Sequence, residues 1–304
     1  MAGSDDPYDT STLSPVRQKV AELFGQIPVD RDVNSNGDTA GLFEQLTGWN
    51  QAKLDAKWKD EDAARATARA DGKSEKQISL MPNTTTCNEF VIRVGHAIKS
   101  PIALGQFYID NVLQKAGFEE AWVPAGSGER PGLGDPFVVT SRGHMGVSDK
   151  FIGDQWYTIE SGQGGHKVGH DIIKRKQTQW DPSKLLGWVN IDKLMQLAQP
   201  APDWLTGWWV IDFGGTQAWL YVGDHPKCPC FAKKPLNMSG KPIGWTPWDA
   251  TVHMNEDGQS ATIDFGSGGG TGTGGLVKNV QANGPNAIAG TKDGGVKVTG
   301  TRPG

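Results

Sequence analysis

Few residues in this chain are placed to do chemistry, and Cys87 leads them. It stands in "TTTCNEFVIRVG" (84–95), after three threonines and ahead of an apolar pattern of helical spacing formed by Phe90, Val91, Val94 and Ile98. Thr86-Cys87-Asn88-Glu89 fits the capping box S/T-x-x-E, with Thr86 as N-cap and Glu89 at N3. The spacing therefore predicts Cys87 in the first turn of a helix. Open backbone N–H groups and the helix dipole there favour a thiolate over a thiol. A cysteine used only for packing fits more naturally in mid-helix.

A thiolate nucleophile needs a base that later protonates the leaving group, and a third group to orient that base. His96 is excluded, because nine residues along one helix put it about 13 Å from Cys87. His144, in "RGHMGVSDKFIGDQWYTIESG", opens a strand-like run after a glycine-rich loop. A hairpin of 144–150 with 154–160 around "FIG" sets His144 opposite Glu160, with Gly153 in the left-handed position of a three-residue loop. In a second register "IGDQ" carries the turn, and the partner of His144 becomes Ser161 or Gln163.

The elements that must position these residues fall into three regions. Residues 1–80 are predicted helical: Ser14-Pro15 is an N-cap with proline at N1, and a second periodic segment runs from Leu42 through Trp58 into an alanine-rich stretch. The charge run 53–76 mixes both signs and reads as a solvated helix face. Residues 81–202 carry helical patterns at 87–98 and 102–116, broken at Ser100-Pro101. Strand-like runs follow at 137–141, 144–149, 156–161 and 185–190, then a short helix "IDKLMQLA". Helices followed by an antiparallel meander make an α+β chain. Residues 203–304 are β-rich, with hairpin signals at Gly214-Gly215 and Asp257-Gly258. Their glycine-rich tail from "GSGGGTGTGG" onward reads as flexible or as a source of edge strands.

The order of these motifs resembles the papain-like NlpC/P60 and CHAP cysteine peptidases. Gly134-Asp135 through Val139 is similar to the family's "GD" plus apolar strand, and His144-Met145-Gly146-Val147 to its histidine strand. Glu160 falls where CHAP members carry their acid. The resemblance spans roughly 81–200. It implies a papain-like catalytic domain, Cys87, His144 and Glu160 as the catalytic set, no cofactor, and peptidoglycan stem peptides as substrate. It also implies an oxyanion hole using the Cys87 N–H and a donor from 84–86 or Asn88. Thr86, Asn88 and Trp156 are the substrate-binding residues expected. The Thr-Thr-Cys-Asn-Glu flanks differ from the family's usual ones, which puts the expected departure in substrate preference.

Composition limits the alternatives. A formal net charge of −4 argues against nucleic acid as the main partner. No stretch approaches 18 apolar residues, so no membrane span is expected, and no apolar h-region follows the acidic N-terminus. A cell-wall hydrolase without such a signal is expected to leave by another route. By analogy this points to a type VI secretion effector acting in a target-cell periplasm, with an immunity protein and a secretion-apparatus partner, or else to a phage lysin. Two other readings stand beside it. One is a deamidase or acyltransferase with the same dyad, acting on a cytoplasmic protein or lipid. The other is a non-enzymatic cell-wall or glycan-binding module, for which Trp204, Trp208, Trp209, Trp219, Trp245 and Trp248 form a sugar platform if they are not core.

Metal sites are less well supported. "HKVGH" (166–170) has histidines four apart but sits among glycines, and "HPKCPC" (225–230) has a C-x-C tighter than usual zinc spacing. "DVNSNGD" (32–38) follows the order of a calcium loop, but its twelfth position is Phe43. The expectation is no metal, a loop, two incidental thiols and an Asx-rich turn.

Overall fold

The computed structural model describes residues 8, 10–223, 226–235, 238, 248–255, 257–266, 275–292 and 294–303. Two compact units result: the chain up to Val112 with Glu120–Asp192, and Leu113–Glu119 with Lys193 onward. The predicted boundary at 80 is not one. The N-terminal helices belong to the unit that holds Cys87, because their buried faces have no core of their own.

In that unit, α1 (Pro15–Gly25) starts at Ser14, whose hydroxyl accepts from the Arg17 N–H. α2 (Ala40–Thr47), α3 (Gln51–Ala70) and α4 (Glu75–Ser79) follow. α5 (Cys87–Ile98) is the predicted cysteine helix, buried through Phe90, Val91, Val94 and Ile98. α1 and α2 pack on α5, and Phe24 stacks on Phe90 with ring centroids 6.3 Å apart. The pattern predicted at 102–116 becomes helical only as α6 (Ile109–Ala116). At Gly105 a Cβ would come within 2.4 Å of the Asn88 carbonyl oxygen, so the chain ahead of α6 lies directly against the start of α5.

Seven strands form one antiparallel sheet. They are β1 (Val33–Asn34), β2 (Trp122–Pro124), β3 (Pro136–Val139), β4 (Met145–Ile152), β5 (Gln155–Glu160), β6 (Ile172–Gln179) and β7 (Leu185–Val189), in the order β1-β6-β5-β4-β3-β7-β2. β6 falls between the strand-like runs at 156–161 and 185–190, where no strand is predicted. One face carries Val147, Ile159 and Arg175 and turns toward α1, since Arg175 donates to the Phe24 and Ile27 carbonyls. The other face carries an aromatic cluster of Phe137, Trp156 and Trp188, with Phe151 and Trp180 packed against it. Thr158 and Glu160 share this second face by strand alternation.

A buried ion pair ties α1 to the start of β3. Asp135, from the "GD" motif, is 1 % exposed and paired with Arg17 at 3.1 Å. Burial pushes its carboxyl up to about 6 against the pull of Arg17 and of the Gly132 and Ile191 N–H groups. α7 (Ile191–Leu197) is the short helix predicted at 191–198.

The second unit is a closed eight-stranded antiparallel barrel. Its strands are β8 (Gly207–Asp212), β9 (Gln217–Val222), β10 (Lys227–Phe231), β11 (Trp248–Met254), β12 (Ala261–Asp264), β13 (Leu276–Ala282), β14 (Ala287–Lys292) and β15 (Val296–Thr301). The described strands of the C-terminal tail, from Leu276 on, are neither free nor an edge. These three strands complete the wall, and β15 pairs back onto β8. Small residues permit the closure: a Cβ on Gly300 would meet Ile288 and Ile211 at 2.7 and 2.8 Å. Closure removes every sheet edge.

The tryptophans divide by strand face. Trp209 belongs to the barrel core, Trp204 and Trp248 pack against it, and Trp208 makes edge contact with Tyr221. Trp245, His225 and 267–274 lie outside the described residues. No helix among the described residues is long and apolar enough to cross a membrane.

Candidate active site

Cys87 opens α5, but the capping box around it does not form. Thr86 makes no side-chain cap bond. Its hydroxyl lies 2.5 Å from Ser161 Oγ and donates to Asp171 Oδ2 at 2.9 Å, and its N–H donates to the same oxygen at 3.0 Å. Among the described residues Glu89 meets only the Asn88 amide, at 3.4 Å. A buried carboxylate is a stronger acceptor than a helix-terminal side chain can be, so it draws Thr86 away from the helix end. The first-turn N–H groups are therefore left without a side-chain cap from Thr86.

Two acidic residues far away in sequence fix this helix start. Asp171, fully buried, also accepts from the Ile172 N–H at 2.9 Å and from the Gly164 and Gly165 N–H groups at 3.3 Å. It thus joins the helix N-terminus to the loop that follows Glu160. Glu61 on α3 accepts from the Thr84 N–H through both oxygens at 3.1 Å and from the Thr84 hydroxyl at 2.5 Å, while Trp58 Nε1 donates to the Thr84 carbonyl. Glu61 is 7 % exposed, although it sits in the charge run expected to be solvated. Its position on the buried stripe with Leu54, Trp58 and Ala68 was the available signal.

His144 immediately precedes β4. Its Nε2 is 2.7 Å from Glu160 Oε2. The hairpin that brings them together turns at "IGDQ", as in the second register, but a bulge then shifts its pairing. Gly153 and Asp154 form a two-residue turn between Ile152 and Gln155, and the pairing then skips Asp149, which bulges. Asp149 leaves the ladder for an ion pair with Arg175 at 2.8 Å and a bond from the Tyr8 hydroxyl. Continued past Val147 and Ile159, this register sets Glu160 opposite Gly146 rather than His144. The carboxylate reaches His144 by crossing over Gly146. A Cβ there would sit 2.7 Å from Glu160 Cγ and 2.7 Å from the Phe137 ring. Gln163, the partner in the second register, is also present, with its amide nitrogen 3.3 Å from His144 Nε2 and 3.4 Å from Glu160 Oε2.

With Nε2 held by Glu160, the His144 imidazole also lies close enough to the Cys87 thiol to favour its ionised form. The Thr85 hydroxyl lies 3.5 Å from the sulfur. Burial pushes the Cys87 thiol up, but hydrogen bonds from His144, Thr85 and the Met145 N–H outweigh it, and the thiol ends below its ordinary value. Burial alone lowers His144. Its bonds to Cys87 and Glu160 overcome that and raise it to about 9. Glu160, only 5 % exposed, is likewise pushed up by burial and held below the usual carboxylate range by His144, Thr158 and Lys176. These directions favour a thiolate beside an imidazolium, with a carboxylate behind it.

Comparison of the chain with protein-family models, curated proteins and solved structures finds no match.

The three expected substrate contacts fare differently. Asn88 is partly exposed at the helix start. Thr86 is wholly buried and spent on Asp171 and Ser161, so it cannot face a substrate. Trp156 is 6 % exposed inside the aromatic cluster, and its Nε1 donates to Ser148 Oγ at 3.1 Å, so it is core rather than a contact surface. Gly162 is the residue missed here. Its φ of +78° lets it lie against Thr85 and Cys87, where a Cβ would approach Thr85 to 3.0 Å and the Cys87 Cβ to 3.3 Å.

No group of three or more His, Cys, Asp or Glu among the described residues is arranged to hold a metal. His166 pairs with Asp62 at 3.1 Å and packs on Trp58. Cys228 and Cys230 point into the barrel core. The loop 32–38 forms the short β1 and a turn into α2, with the Asn34 N–H on Thr39 Oγ1 at 2.7 Å.

Proposed function

We propose that this chain is a cysteine hydrolase of the papain-like NlpC/P60–CHAP kind, cleaving amide bonds in peptidoglycan stem peptides through an acyl-enzyme. The observation that carries the reading is the chain of contacts from the Cys87 thiol through His144 to Glu160, 2.7 Å beyond, at the open start of a helix. The Cys87 thiolate attacks the scissile carbonyl carbon, and the first-turn N–H groups of α5 receive the developing oxyanion. His144 gives its proton to the departing amine as the C–N bond breaks, leaving a thioester on Cys87. Water, losing its proton to His144, then attacks the thioester and the C–S bond breaks. Glu160 keeps the imidazole in one orientation and stabilises its charged form through both steps.

The substrate class and setting come from the resemblance of motif order and of the "GD" and "GHMGV" strands. On that basis the chain is an antagonistic effector delivered to a target-cell periplasm and neutralised in its producer by an immunity protein. Purified peptidoglycan digested by the wild type, Cys87→Ala and His144→Ala and read by mass spectrometry tests the reading. New stem-peptide fragments from the wild type alone support it, and identical profiles from all three proteins refute it. Periplasm-directed expression is expected to be toxic and cytoplasmic expression tolerated.

A further inference from the structure

Glu160 does not serve His144 alone. Its Oε1 accepts from the Thr158 hydroxyl at 2.7 Å, while its Oε2 takes both His144 Nε2 at 2.7 Å and the Lys176 ammonium at 3.0 Å. Lys176 is on β6, opposite Thr158 in register, and reaches Glu160 diagonally. Its side chain is 34 % exposed and so has solvent within reach, yet its charged end sits on a carboxylate that is 6 % exposed. Two cations thus share one oxygen. We infer that Lys176 is a positioning residue of the site, holding the Glu160 carboxylate in place and limiting how firmly that carboxylate grips the His144 imidazolium.

The physical need is plain. A buried carboxylate facing an imidazolium with no other counter-charge makes the imidazolium too reluctant an acid to protonate a leaving amine. A second cation on the same oxygen neutralises part of that field and leaves the geometry unchanged. Other groups near the pair cannot substitute for it. Cys87 on α5 is the partner on the other side of the ring. Asp171, ahead of β6, is committed to Thr86 and the glycine N–H groups. Lys174, directly opposite Glu160, is exposed, and Gln163 is a neutral amide.

The inference rests on the hydrolase reading, and its test needs no substrate. The ultraviolet absorbance of the Cys87 thiolate is titrated against pH in the wild type, Lys176→Met, Lys176→Gln and Lys176→Arg, with Cys87→Ala as the blank and thermal melts confirming that each protein is folded. In the wild type the thiolate forms well below the pH of an ordinary thiol, and a second inflection marks loss of the His144 proton. In the Met and Gln variants both inflections move to higher pH, by about half a unit to one unit, because a positive charge beside the pair is gone. Arginine restores the wild-type values. Folded Met and Gln variants that titrate as the wild type does overturn the role of Lys176. A wild type that titrates as an ordinary thiol overturns the hydrolase reading itself.

Discussion

The two units of the chain each bury thiols, and they treat them in opposite ways. Cys87 is 1 % exposed and Cys230 wholly buried, so accessibility does not separate them. Inside the barrel, Cys230 is surrounded by aliphatic side chains, and burial drives its thiol up to about 12, with Cys228 and Asp249 adding to the rise. At the start of α5 the same burial penalty is outweighed by His144, Thr85 and the Met145 N–H. Burial alone makes a cysteine an apolar filler. Burial together with a positioned imidazole, a hydroxyl and a backbone N–H favours the thiolate instead, the form a nucleophile needs.

The largest effects expected are those that remove the imidazole or the sulfur. Cys87→Ala should abolish amide hydrolysis, and His144→Ala should lower kcat roughly 10³- to 10⁴-fold, measured on a stem-peptide substrate. Cys228→Ala with Cys230→Ala should leave kcat unchanged. A loss of activity in that double variant would erase the contrast between the two units. Next comes Gly146→Ala, whose new methyl would meet Glu160 and the Phe137 ring at 2.7 Å. It should displace the carboxylate, lower kcat about 100-fold and cost about 1–3 kcal/mol by chemical denaturation.

Asp171→Ala should cost about 2–3 kcal/mol, because it leaves the Thr86 N–H and the two glycine N–H groups without their buried acceptor. Its melt should show the loss in the sheet-containing unit and not in the barrel.

The smallest effect is a pH dependence of stability. His144, raised to about 9, contributes stability that is full below its unfolded value near 6.5 and is lost as pH rises through about 9. Cys87, lowered, contributes stability present above the ordinary thiol value and lost as pH falls through its depressed one. Between about 6.5 and 9 the two slopes oppose one another, so the pair's pH dependence there is weak. Cys87→Ala should unmask what remains of the His144 decline toward alkaline pH, read from denaturation midpoints across pH.

What could be read in advance was local. Cys87–Ile98 is helical over the residues whose apolar spacing predicted it, and His144, just ahead of β4, meets Glu160 at the end of β5 because the hairpin signal is contained in about twenty residues. The register was not legible, since it depends on Asp149 leaving the ladder for Arg175, 26 residues away in β6. The capping box failed for a similar reason. Thr86 has the right local partner at Glu89 but a better distant one in Asp171, 85 residues on. Glu61 and Lys176 each carry a charge that reads as solvent-facing until another element is folded against it. In the barrel the hairpins at 214–215 and 257–258 showed themselves, while closure depended on β15 pairing with β8, a contact that no local pattern encodes.

The contrast between the two kinds of thiol is tested most directly by residue-resolved alkylation of the folded wild type with iodoacetamide across pH, read by mass spectrometry of the peptides carrying Cys87, Cys228 and Cys230. The account predicts that Cys87 labels at about pH 6 many times faster than a free thiol, while the barrel thiols label only on unfolding. Labelling of Cys87 at about pH 6 no faster than a free thiol, or in step with the barrel cysteines, would contradict it.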